Sequence, residues 1–78
     1  MRNTNYDKKY LYRARIIGLR IQMFRKLMNL TQREFAVCLE TSFMRVHRWE
    51  TGLYPPNVID IIKIAETTKQ DILVFFKD

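Results

Sequence analysis

Cysteine is almost missing from this chain. Cys38 stands alone among 78 residues, which excludes an internal disulfide framework. Histidine is confined to His47, and one His with one Cys cannot assemble a multi-ligand zinc site within one chain. Gly18 and Gly52 are the only glycines, too few and too far apart for a phosphate-cradling loop. No stretch approaches the roughly 20 apolar residues of a membrane span. The basic start, MRNTNYDKKYLYRARIIGLR, has no unbroken apolar core of signal-peptide length. The expectation is a cytoplasmic protein with no metal, no cofactor, no catalytic residues, no membrane contact and no evident small-molecule ligand. Cys38 reads as a small, partly buried helix residue rather than a reactive thiol.

What is present is one small core and an uneven charge. A chain of this length encloses a single domain. Residues 1 to 48 hold eleven Lys or Arg against three acids, a net of +8, whereas residues 49 to 78 hold three against five, a net of −2. That asymmetry suits a polyanion-binding N-terminal part and a C-terminal part with another task. It equally suits a basic protein kept soluble by its charge, so the motifs must decide.

Apolar residues recur at Ile17, Ile21, Phe24 and either Leu27 or Met28, the spacing of an inward helical stripe. A first helix is expected from roughly 14 to 28, with Asp7 as the cap of an earlier start if Tyr10 and Leu11 join it. The preceding residues 1–13 read as a basic arm, either entering a minor groove or lying solvated, and residues 14–78 as the folded domain. In NLTQREFAVCLE, Thr31 and Glu34 form a capping box, flanked by Leu30 and Phe35 as a hydrophobic staple. Phe35, Ala36 and Leu39 then line one buried stripe of a short second helix.

Ser42 caps a third helix, TSFMRVHRWETG, which Gly52 ends. Turning about 100° per residue, Val46 and Trp49 share the inner face, while Met44 and Arg48 lie nearly opposite. His47 lies between Arg48 and Phe43; Phe43 either joins this outward set or folds back on the core. Tyr54, Pro55 and Pro56 make an extended loop. Asn57 caps a fourth helix with Val58, Ile61, Ile62 and Ala65 inward, and Asp71 caps a short fifth segment, ILVFF.

Two short helices joined by a tight turn make a helix-turn-helix arrangement. Gly18, Ile21, Arg25, Leu30, Thr31-Gln32, Phe35-Ala36, Leu39, Ser42, Val46, Trp49-Glu50, Gly52, Pro56 and Ala65 follow in an order and spacing that resembles the lambda-repressor/Cro-like, or XRE, family. The resemblance spans residues 17 to about 76. It implies an all-α, compact five-helix lambda-repressor-like bundle, with the helix-turn-helix formed by helices two and three. It also implies a Cro/C1-type domain that binds double-stranded operator DNA as a homodimer. Two departures stand out. Glu40 occupies a turn position where such proteins have Gly, at a positive φ that costs a side chain about 1 kcal/mol. Lys69 and Gln70 stand where Gly and Val are usual.

By that similarity Gln32 meets a DNA phosphate, and Arg25 pairs with Glu50 to lock the first helix to the end of the third. The groove chemistry assigns the rest. Arg48 suits guanine O6 and N7, Phe43 and Met44 suit thymine methyls, and His47 suits a base or a phosphate. Arg33, Ser42 and Arg45 are expected at phosphates. Leu53, Tyr54, Phe75 and Phe76 are candidates for the dimer interface. The expected function is a transcriptional repressor or autoregulator of bacterial, phage or mobile-element type. The alternative is a protein-interaction module, antitoxin-like or an assembly adaptor, with Phe43 and Met44 as anchors.

Overall fold

Twenty consecutive residues without proline and with one glycine build the first helix, α1, Lys8–Leu27. The computed structural model describes residues 8–77 of the chain. α1 is already helical at Lys8, so its start lies six residues before the expected position 14, and residues 8–13 of the expected arm are helical. The proposed Asp7 cap and the rest of the arm lie outside the described residues. At the other end Asn29 adopts φ 59°, a left-handed conformation that Asn tolerates better than most side chains. Leu30 N–H then reaches back to Arg25 O at 3.4 Å.

α2, Gln32–Leu39, begins in a complete capping box. Glu34 N–H donates to Thr31 Oγ1 at 3.1 Å, and Thr31 N–H donates to Glu34 Oε1 at 2.8 Å. It ends at Glu40 with φ 56°, so the side chain sits in the backbone region glycine prefers. α3, Phe43–Thr51, starts on Ser42, whose Oγ accepts from Arg45 N–H, and ends on Gly52 at φ 80°. α4, Val58–Thr68, starts on Asn57 and ends at Lys69, φ 59°.

The expected fifth helix is a correction. Residues Ile72–Phe75 form a single 3-10 turn, capped by Asp71, which accepts from Leu73 N–H at 2.9 Å. Four residues are too few to complete an α-helical ladder. The turn instead delivers Phe75 edge-on to Phe24, ring centroids 5.6 Å apart. The architecture among the described residues is four α-helices and this turn, with no strand.

The core gathers Ile21, Phe35, Leu39, Val46, Trp49, Ile61, Ile64 and Phe75 around Ala36 and Ala65. α1 crosses α3 at Gly18, where an added Cβ would run into the carbonyl of Trp49 and stand 3.1 Å from Glu50 O. Only a glycine lets the two backbones approach so closely. Three expected inward positions are not inward: Val58, Ile62 and both alternatives Leu27 and Met28 are exposed. In α4 the buried row is Asp60, Ile61, Ile64, Ala65 and Thr68, a helical stripe rotated from the expected one, with Ile61, Ile64 and Ala65 entering the core. Cys38, expected to be partly buried, is exposed.

Candidate nucleic-acid interface

The capping box of α2 and the Ser42 cap of α3 fix where these helices begin, and the buried faces fix how they are rotated. Phe35, Ala36 and Leu39 anchor α2; Val46, Trp49 and Glu50 anchor α3. The opposite side of α3 therefore carries Met44 and Arg48 into solvent. Arg48 places its guanidinium 5.8 Å from the ring centre of Tyr54, a cation-π arrangement that restrains it at the mouth of the α3 to α4 loop.

Phe43 does not fold onto the core. Its ring contacts two planar groups: the Arg33 guanidinium, 4.4 Å from the ring centre, and the His47 imidazole, stacked at 6.0 Å with an interplanar angle of 24°. Through Phe43 the cluster bridges α2 and α3. Stacking half-buries the phenyl and imidazole rings, and His47 Nδ1 is enclosed without a hydrogen-bond partner. The polar atom left to this imidazole for an outside contact is Nε2.

Arg25 and Glu50 are brought together by α1 and the end of α3. The guanidinium donates from Nε to Glu50 Oε2 at 2.7 Å and from Nη2 to Oε1 at 2.9 Å, while Nη1 reaches Leu30 O at 2.7 Å. The side chains are 8% and 1% exposed. A bidentate pair this deep is tolerable because almost every charged edge is satisfied. Gln32 joins the same carboxylate, Nε2 to Glu50 Oε1 at 2.9 Å. Its second amide proton and its carbonyl oxygen remain for an outside partner.

Ser42 and Arg45, also expected at phosphates, have protein partners too. Ser42 Oγ accepts from Arg45 N–H as a helix cap, while its hydroxyl proton is still a donor. Arg45 donates from Nη2 to Asp60 Oδ2 at 2.6 Å. Asp60 is the residue that the sequence reading missed in this region. Its signal was the helix start at Asn57: a cap accepting from the N–H of Asp60 at 2.8 Å sets that carboxylate on the first turn of α4, beside α3.

Of the expected interface residues, Leu53 and Tyr54 are exposed beside α4, and Val58 and Ile59 extend the same apolar edge. Phe75 is a correction: it is wholly buried in the core and cannot meet a second chain. Phe76 is exposed and borders α1 near Ile16 and Arg20. No helix among the described residues is long and apolar enough to cross a membrane.

The sequence profile of a helix-turn-helix family matches residues 21–75. No curated protein matches the chain.

Proposed function

The chain belongs to the helix-turn-helix family of the XRE, lambda-repressor-like type, a family of DNA-binding transcription regulators, and on that premise we propose that it is a sequence-specific repressor or autoregulator. It acts as a homodimer on a near-palindromic double-stranded operator, in the cytoplasm of a bacterium or of a cell hosting a phage or mobile element. The observation that carries this reading is the division of α3. Val46, Trp49 and Glu50 are buried, while Met44 and Arg48 stand outward beside the Arg33, Phe43 and His47 stack.

An α-helix fits the major groove, where Arg48 bonds guanine O6 and N7 and Met44 meets a thymine methyl. The free edge of Phe43 lies against a second methyl, and His47 Nε2 faces a base edge. Arg33, Ser42 and Gln32 hold phosphates at the start of α2 and α3, helped by the positive ends of both helices. Arg45 lies within reach of a phosphate, for which Asp60 competes. Leu53 and Tyr54, with the neighbouring α4 residues, pair with a second copy, so that two α3 helices enter successive major grooves roughly 34 Å apart. Arg25 and Glu50 keep α1 and α3 in register.

Selection of bound sites from random duplexes, followed by sizing of the complex, tests the whole reading. Two related half-sites one helical turn apart and two chains per duplex are expected. Recovery of no sequence preference above bulk duplex would sink it. The protein-interaction alternative separates by salt: duplex binding weakens steeply as salt rises, whereas an apolar contact through Phe43 and Met44 does not.

A further inference from the structure

α1 is apolar on two opposite faces. Its inner stripe, Ala14, Gly18, Ile21 and Arg25, is buried against the rest of the domain. At 3.6 residues per turn, Tyr12, Ile16, Leu19, Met23 and Leu27 fall about 180° from that stripe. Tyr12, Leu19, Met23 and Leu27 are between 48% and 71% exposed. Nothing in the DNA-binding reading uses them.

The outer residues are spaced four, three, four and four apart, the narrow seam of a helix that packs lengthwise on another helix. A helix lying in a lipid surface presents a broader apolar face. The seam extends about 22 Å. Lys8, Arg15 and Lys26 flank it on one side and Lys9, Arg13 and Arg20 on the other, and α1 carries no acidic residue. Two copies meeting through this face would set basic flank against basic flank, which like-charge repulsion opposes. A helix with acidic flanks is the complement.

We propose that the outer face of α1 is a docking surface for an amphipathic, acid-flanked helix of another protein. Because the opposite face of α1 is the one packed on α3 at Gly18 and Trp49, the partner sits away from the recognition helix. Partner and DNA are held at the same time, and the protein links the two.

The test uses the full chain and a synthetic helical peptide with leucine at heptad positions a and d and glutamate at e and g. The native chain should bind it, more weakly as salt rises, and should not bind a version with lysine at e and g. Leu19→Ser combined with Met23→Ser should lose about tenfold or more in peptide affinity, a difference of about 1.4 kcal/mol, with helix content and duplex binding unchanged. Lys8→Glu combined with Lys26→Glu should weaken binding of the glutamate peptide without touching the seam, because it removes most of the positive charge of one flank. Equal binding of both peptides, or undiminished binding by the serine variant, overturns the proposal. So does a dimer that the serine variant converts to monomer, or binding of phosphatidylglycerol vesicles without binding of the peptide. Duplex binding is read separately, so its loss in the native chain would count against the DNA-binding reading alone.

Discussion

The guanidinium of Arg45 is fastened to the carboxylate of Asp60 at 2.6 Å, joining the recognition helix to the first turn of α4. The arginine side chain is 49% exposed and the aspartate 10%. The pair is therefore half in water, and its contribution to stability is modest, about 1 kcal/mol after screening. In the proposed complex the pair also competes with a phosphate for Arg45.

Asp60→Asn should release Arg45. The melting temperature should fall by a few degrees, in keeping with about 1 kcal/mol in a domain of this size. In a plot of log affinity for duplex DNA against log salt, the slope should steepen by about 0.9, the increment for one newly neutralised phosphate. An unchanged slope would mean that Arg45 already meets a phosphate while it is paired.

Arg48→Ala should reduce affinity for the selected operator by about 1–3 kcal/mol and relax one base preference. The check is a binding titration on the operator and on each single-base variant. If random duplex loses as much as the operator, Arg48 is a backbone contact and base reading falls to Met44 and His47.

Arg25→Ala leaves Glu50 enclosed with Gln32 as its remaining side-chain partner. Removing one member of a buried pair costs about 3–5 kcal/mol, enough to lower the denaturant midpoint sharply. Base preference, measured on whatever fraction stays folded, should not change. A superimposable unfolding curve would remove the lock from the account.

Gly18→Ala tests the crossing of α1 and α3. Alanine favours a helix by about 1 kcal/mol over glycine, so an isolated helix would gain. Here the methyl group meets the backbone of Trp49 and Glu50, which cannot swing aside as a side chain does. Net destabilisation by about 1–3 kcal/mol is expected, and a raised melting temperature would show that the helices can separate freely.

Local chemistry made much of this fold readable. Thr31 with Glu34, Ser42 with Arg45 N–H, and Asn57 with Asp60 N–H act over three residues, so their partners were visible as spacing. The left-handed turn at Glu40, φ 56°, was readable only through the resemblance, because a glutamate carries no local signal for positive φ. Packing was less legible. Val58 and Ile62 fit an inward pattern as well as Ile61 and Ala65 do, and the observed rotation shows only in contacts distant in sequence: the burial of Ile61, Ile64 and Ala65 in the core and the bond between Asp60 and Arg45, fifteen residues apart. Phe75 and Phe76 are adjacent and alike in character, yet a single 3-10 turn buries one and exposes the other. The bond from Gln32 to Glu50 spans eighteen residues and had no local mark. At the candidate interface, residue types indicated chemistry, but not that Arg33 and His47 would both clasp Phe43.

That clasp bears on the thermodynamics of recognition. A free arginine or histidine on a protein surface samples many rotamers, and immobilising one on binding costs about 0.5–1.5 kcal/mol. Arg33 and His47 already contact the Phe43 ring, so part of their side-chain freedom is given up when the domain folds. Association can then proceed with little rearrangement of these three groups, and calorimetry should find a smaller entropic penalty for the native stack than for a variant in which Phe43 is replaced by leucine.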